Sequence, residues 1–157
     1  MENVFQITVQ NRKALHNILV RTPRKDLLKI PNGFNNNIWW NIAHVVVTQQ
    51  LLVYGLSGLP KHIDGEIVQK FRKGTVPDGT ATNEEIAIIK GFLVPTIEKT
   101  ELDYKHGRFQ RYTTYTTSTK ATLLKVEDAL TFNLYHEGLH LGAILALQKA
   151  LIGNGAS

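Results

Sequence analysis

Apolar residues recur at helical spacing along most of the chain, and this pattern predicts an all-α protein. Four main helices are expected, over residues 3–21, 36–56, 82–105 and 126–152, with short helices at 24–30 and 64–73. The helix at 36–56 is apolar on almost every side, which is typical of a helix buried in a bundle. Its apolar outer faces also favour a homodimer.

Capping and helix-breaking residues define the third helix and the segment after it. Thr82 and Glu85 have the spacing of a capping box, so we expect the helix to begin there. Gly91 and Pro95 interrupt it, and the missing amide hydrogen of Pro95 predicts a kink. Residues 112–119 are rich in Thr and Tyr and are expected to form a long crossover loop, with room for a short strand. A plain surface loop is favoured over a pocket lip.

Length and composition favour one cytoplasmic domain. The chain has 157 residues, which suits a single domain with a substantial core. It has no cysteine, which excludes disulfides, thiolate metal ligands and a Cys nucleophile. The first residues carry an early acid and lack the basic and apolar regions of a secretory signal. These features agree with a reducing compartment.

Charge argues against a nucleic-acid or membrane partner. The net charge of +5 is modest, and its basic residues form loose groups that are typical of a solvated face. Residues 30–60 contain no charged side chain, which could suggest a membrane span by length. Several Asn and Gln residues and one His interrupt this stretch, so a buried helix is the better interpretation.

A pair of histidines on the fourth helix carries the main chemical signal. His136 and His140 are four residues apart, so on a helix they lie on one face and can bind one metal ion. With Glu137 between them they also match the H-E-x-x-H pattern of zinc peptidases, in which the Glu is a general base. The extended peptidase pattern would need Gly and His where this chain has Ala143 and Ala146.

A third metal ligand must come from upstream of this pair. The seventeen residues after His140 include no His, Asp, Glu or Cys. His44 is the preferred candidate because it lies in a long apolar stretch, where an unpaired imidazole would be costly. Placing this face of the second helix against the fourth helix would bring three imidazoles together. The other upstream histidines are His16, a weaker candidate, and His62 and His106, which are expected to be solvated.

Three further expectations concern neighbouring residues. On the fourth helix both histidines share one apolar stripe, which should point into the core; it comprises Phe132, His136, Leu139, His140, Ala143, Leu147 and Leu151. Glu137 lies about 100° around the helix, and is either a catalytic general base or a solvated or subunit-interface residue. Asn41 precedes His44 by one turn, and could orient a metal ligand, bind substrate or only bond to the backbone.

Together these residues resemble the DinB-like (YfiT-like) superfamily of metal-binding proteins. The resemblance rests on the Asn-Ile-Ala-His segment ending in His44, the His-x-x-x-His helix, and the His-x-Gly-x-Ile sequence that contains Gly142. It implies a four-helix bundle with a long crossover loop before the last helix. It also implies that His44, His136 and His140 bind one divalent metal ion, for which Zn and Ni are favoured. Gly142 would let its helix pack closely beside the site.

The resemblance also implies a range of activities. Members of this superfamily include hydrolases and transferases that use low-molecular-weight thiols such as bacillithiol or mycothiol. We therefore expect a metal that activates water or a thiol for attack on a small-molecule substrate. The main alternative is a non-catalytic, metal-stabilised bundle that acts as a sensor or interaction module. A zinc peptidase and a nucleic-acid binder are further alternatives.

Overall fold

The chain is predominantly helical, as the sequence predicts. The computed structural model describes residues 1–153. Its elements are α1 (Glu2–Arg21), α2 (Arg24–Leu28), α3 (Ile38–Gln50), a π-helical turn (Leu51–Gly55), α4 (Gly65–Phe71), α5 (Asn83–Phe92), α6 (Pro95–Lys105), β1 (Tyr115–Thr116), β2 (Thr122–Leu123) and α7 (Val126–Gly153). Among these helices, none is long and apolar enough to cross a membrane.

Helix α3 lies at the centre of the packing. It contacts α7, α2 and α4, while α1 packs against α7 and α6. Every residue of α3 except Thr48 is buried, which explains why its sequence is apolar on all sides. The outer faces of α3, on which the predicted homodimer depends, are covered by the chain's own helices. That argument for a homodimer is wrong, and the homodimer stays a prediction.

The third predicted helix is divided into α5 and α6, and its predicted start and kink are confirmed. The Thr82 hydroxyl accepts a hydrogen bond from the Glu85 amide, and the Glu85 carboxylate accepts one from the Thr82 amide, which completes the capping box. The break falls between Phe92 and Pro95, and Pro95 begins α6. Proline suits the first helical position because the amide hydrogen that it lacks would have no partner there.

The second predicted helix changes its geometry at its C-terminal end. After Gln50 it continues as a π-helical turn, in which the Leu56 amide donates to the Leu51 carbonyl at 3.1 Å. The Leu59 amide makes the same type of bond to the Tyr54 carbonyl at 2.9 Å. Such turns insert a residue into a helix and change the direction of its side chains. No pattern in the sequence indicated it.

The crossover before α7 contains a small hairpin. Strands β1 and β2 pair antiparallel, with Tyr115 opposite Leu123 and Thr116 opposite Thr122. Upstream, the Thr113 amide donates to the Leu56 carbonyl at 2.7 Å, which joins the crossover to the segment that follows the π-helical turn. The short strand expected within residues 112–119 is therefore confirmed, and this segment lies beside the end of the π-helical turn.

Candidate metal centre

Three histidines from two helices meet at one point. His44 of α3 lies against His136 and His140 of α7, and their ring nitrogens lie within 4.8 Å of one another. The Nε2 atoms of His136 and His140 are 3.1 Å apart. In the part of the chain that the structure describes, this is the one cluster of three such residues that could hold a metal ion. The preference for His44 over the other upstream histidines agrees with this placement.

Helix packing fixes the orientation of His44. Its Nδ1 lies 2.7 Å from the Phe71 carbonyl at the end of α4. A carbonyl can only accept, so Nδ1 carries the proton and Nε2 keeps a free electron pair. The Thr48 hydroxyl lies 3.1 Å from that Nε2, and the Trp40 ring stacks on the imidazole with centroids 4.5 Å apart. The Nε2 atom is therefore held in the form that binds metals.

Asn41 orients His140 in the same way. The Asn41 Oδ1 atom lies 2.7 Å from Nδ1 of His140, while its Nδ2 donates to the Asn37 carbonyl at 2.7 Å. Because the amide group is fixed by that second bond, Oδ1 faces His140 and accepts a hydrogen bond from its Nδ1–H group. Asn41 thus makes both the backbone bond and the histidine contact that the sequence left as alternatives. The contact leaves Nε2 of His140 free.

His136 differs from the other two histidines. Its Nδ1 is buried and has no hydrogen-bond partner among the described residues. Its Nε2 faces that of His140, and two free electron pairs at 3.1 Å repel each other unless a proton or a cation lies between them. With Zn–N bonds of about 2.0–2.1 Å, two nitrogens of a tetrahedral site lie about 3.3 Å apart. The observed spacing fits that donor set.

All three imidazoles are neutral near pH 7. Burial lowers the pKa of His136 to about 3, together with repulsion from Arg12 and from His140 and His44 when those two are protonated. Burial and His44 lower the pKa of His140 to about 4. Burial also lowers the pKa of His44, although its bond to Phe71 opposes this. Protons therefore compete weakly with a metal for these nitrogens.

Glu137 occupies an unexpected position. Its side chain is fully buried and forms a 2.9 Å salt bridge with the equally buried Arg12 of α1. Asn133 donates to the same carboxylate oxygen at 2.7 Å. The expectation of a solvated or subunit-interface Glu137 is therefore wrong. The catalytic role stays a prediction, but the carboxylate does not line the pocket described below.

The buried face of α7 is rotated relative to the predicted stripe. Its centre is Glu137, with Asn133 and Ile144 above and below it, all nearly inaccessible. Leu139, which was placed on the inner stripe, is 52% exposed, and His136 and His140 are half-buried at the edge of the core. A charged residue such as Glu137 predicts an exposed position on a helix. Here Arg12 neutralises its charge inside the protein, so Glu137 can lie on the buried face.

Arg12 is a structural residue that the sequence interpretation missed. Besides Glu137, its guanidinium contacts the Val45 carbonyl of α3 and the Leu93 carbonyl at the α5–α6 break, each at 3.3 Å. One side chain of α1 thereby joins the other three long helical segments. A signal was present, because Arg12 shares the helical spacing of the buried residues of α1, which are Phe5, Thr8, Leu15 and Leu19, and a charged residue on that face needs a buried partner.

Gly142 does not serve the purpose that the sequence suggested. It is exposed on α7, and a Cβ atom at this position would meet nothing within 4 Å in the described structure. The prediction that Gly142 allows close helix packing beside the site is wrong for the single chain. No other helix packs closely against α7 at Gly142 in the described structure.

A pocket of about 670 Å³ opens onto the three histidines. Its apolar wall comes from the π-helical turn and from Leu56 and Leu139, and its lip includes Tyr115, Thr117 and Ser118 of the crossover. The crossover therefore forms a pocket lip, contrary to the expectation of a plain surface loop. This volume is within the usual range for small-molecule sites.

The helical fold, the three converging histidines and the adjacent pocket together define a helical protein with a candidate metal centre. The sequence profile of the DinB superfamily matches residues 7–144. The chain therefore belongs to the DinB superfamily. A search of curated proteins finds no match.

Proposed function

We propose that this chain is a metal-dependent hydrolase or thiol-dependent transferase. One divalent ion, Zn or Ni, would be held by the Nε2 atoms of His44, His136 and His140. The observation that carries the proposal is that three neutral imidazoles converge beside a small-molecule pocket. Three protein ligands with an open position are typical of catalytic rather than structural zinc sites. DinB superfamily membership supports the same proposal.

The donor set fits a divalent ion with nitrogen ligands. The hydrogen bonds at Nδ1 of His44 and His140 place the electron pairs of both rings on Nε2, and imidazole suits both Zn and Ni. The Thr48 hydroxyl, which donates to Nε2 of His44, would turn away when an ion binds there. When bound, the ion would supply Lewis-acid activation of water or a thiol. Phe71 and Asn41 hold the two rings in place, and Trp40 shields one face of His44 from water. This chain therefore supplies a prearranged set of ligands.

The proposal does not assign Glu137 as general base. Its carboxylate is committed to Arg12 and Asn133, and no Asp or Glu lines the pocket in the described residues. This separates the chain from zinc peptidases of the H-E-x-x-H pattern, whose Glu must reach the attacking water. In the proposal, Glu137 fixes the rotation of α7 about its axis through its salt bridge with Arg12, so that His136 and His140 face the pocket.

The arrangement of the long helices belongs to the same proposal. α1, α3, α5 with α6, and α7 would form the four-helix bundle of the superfamily, with the crossover before α7. The contacts of α7 with α1 and α3, and of α1 with α6, support this.

A non-catalytic, metal-stabilised sensor is the alternative function. The pocket beside the histidines favours the enzyme, because a purely structural site would be closed.

Activity of the metal-loaded protein tests the proposal. Purified protein loaded with Zn or Ni would be assayed against a panel of activated esters and against thiols paired with small electrophiles. His44→Ala should abolish any turnover that the wild type shows. His106→Ala is the matched control, because His106 is an exposed residue outside the cluster. Equal turnover in wild type and His44→Ala would contradict the proposal.

A further inference from the structure

The charge of the pocket indicates what kind of molecule it accepts. Of the residues that line it, Lys73 alone carries a charge, and no acidic residue is present in the described lining. An imidazole is either neutral or positively charged, so the three histidines cannot make the pocket negative. A divalent ion bound by neutral ligands would keep its full charge. The pocket is therefore electropositive with or without a metal.

Lys73 is available to bind a ligand. Three residues earlier, Lys70 forms salt bridges with Asp78 at 3.3 Å and Glu85 at 2.7 Å. Lys73 follows α4 by two residues, is exposed, and forms no salt bridge within residues 1–153. The segment before it is held against the site, because the Phe71 carbonyl accepts the hydrogen bond of His44 at 2.7 Å. Lys73 thus lines the pocket and has no salt-bridge partner among the described residues.

The remainder of the wall is mostly apolar. Leu52 and Leu56 lie at and after the π-helical turn, and Leu139 contributes from α7. Leu139 is 52% exposed despite facing the pocket, so a ligand with an apolar body would cover its surface. The hydroxyl group of the exposed Ser118 at the lip can donate a hydrogen bond to an anion.

We propose that the substrate is an organic anion with an apolar body, whose anionic group is bound by Lys73. The leucine wall would hold the apolar body and direct the opposite end of the molecule toward the three histidines. This inference rests on the proposed function for the reaction itself, but the anion preference is a property of the pocket alone. Lys73 is therefore a specificity-determining residue.

Binding of two matched probes tests the inference. We would titrate 1-hexanesulfonate, and methyl hexyl sulfone as its neutral counterpart, into the protein and measure heat release. A sulfonate is a weak metal ligand and a good partner for an ammonium group. The wild type should bind the sulfonate about fivefold more tightly than the sulfone, which is the scale of a partly exposed ion pair. Lys73→Gln should remove this preference and leave sulfone binding unchanged.

The control variant is Lys61→Gln, which removes an exposed lysine that does not line the pocket and should keep the preference. Three results would overturn the inference. The wild type could bind the sulfonate and the sulfone with equal affinity, the Lys73→Gln variant could keep the preference for the sulfonate, or neither probe could bind at millimolar concentration. Each titration would be run on metal-loaded and on chelator-treated protein. If the protein binds no metal, the proposed function fails, but the titrations still measure whether the pocket prefers the sulfonate because of Lys73. If metal binds and the preference is absent, the inference alone fails.

Discussion

Arg12 of α1 and Glu137 of α7 form a salt bridge of 2.9 Å in which both side chains are fully buried. Glu137 stands between the two histidines of α7 in sequence, but its carboxylate points into the core while the imidazoles border the pocket. Because adjacent helical residues differ in direction by about 100°, fixing one of them fixes the others. The ion pair thus sets the rotation of α7 and the placement of His136 and His140.

Removing one partner of this buried pair should strongly destabilise the fold. Arg12→Ala would leave the Glu137 carboxylate without its cation in the core, and we expect a loss of about 3–5 kcal/mol in the free energy of unfolding. Urea denaturation of the wild type and of Arg12→Ala measures this difference in the free energy of unfolding. The control is Lys13→Ala, an exposed neighbour on α1, which should change the stability by less than about 0.5 kcal/mol.

Replacing both partners with apolar residues extends this test. The double variant Arg12→Met/Glu137→Leu contains no unpaired buried charge, so it should recover much of the stability lost in Arg12→Ala. A double variant that is less stable than the single one, or an Arg12→Ala variant as stable as Lys13→Ala, would show that the pair does not hold α7.

Asn41 should affect metal affinity without being a ligand. Its Oδ1 accepts a hydrogen bond from Nδ1 of His140 at 2.7 Å, and partners of this kind contribute about 10- to 100-fold to metal affinity in other proteins. We expect Asn41→Ala to weaken zinc binding by about that factor, as measured by competition with a chromogenic chelator.

The matched control for Asn41 is Asn36→Ala. Asn36 Oδ1 accepts a hydrogen bond from Nδ2 of Asn41 at 2.9 Å but does not contact a histidine. It should retain zinc affinity close to that of the wild type. Equal zinc affinity in Asn41→Ala and the wild type would mean that the His140 contact does not tune the site.

A second buried carboxylate predicts the acid sensitivity of the fold. Burial alone would raise the pKa of Asp103, but hydrogen bonds from Lys99, Tyr54 and Arg108 outweigh it and lower the pKa to about 2. An unfolded Asp has a pKa of about 3.9. The stabilising effect is therefore complete above about pH 4 and is lost as the pH falls toward 2, to the extent of about 2 kcal/mol.

Stability measured across pH 2 to about pH 5 checks this effect. Asp103→Asn should lower the stability at neutral pH and flatten its decline in acid. Glu101→Gln is a suitable control, since Glu101 pairs with the exposed Lys105 on the same helix, and it should keep the wild-type slope. An Asp103→Asn variant with an unchanged slope would show that other carboxylates govern the acid transition.

Much of the fold and of the histidine cluster could be predicted because the signals are local. The capping box at Thr82, the break at Pro95 and the burial of His44 follow from neighbouring residues or from helical periodicity. The rotation of α7 could not be predicted, because the residue that neutralises Glu137 is Arg12, at the far end of the chain. The π-helical turn and the approach of Lys73 to the pocket depend on tertiary contacts that leave no periodic pattern.

Metal content tests the central claim most directly. Tag-free protein purified without chelator would be examined by elemental analysis, wild type beside the His136→Ala/His140→Ala double variant and the His106→Ala control. The account predicts about one Zn or Ni per chain in the wild type and the control, and its loss in the double variant. No metal in the wild type, even after reloading, would contradict it and leave the three imidazoles as polar residues of the helical core.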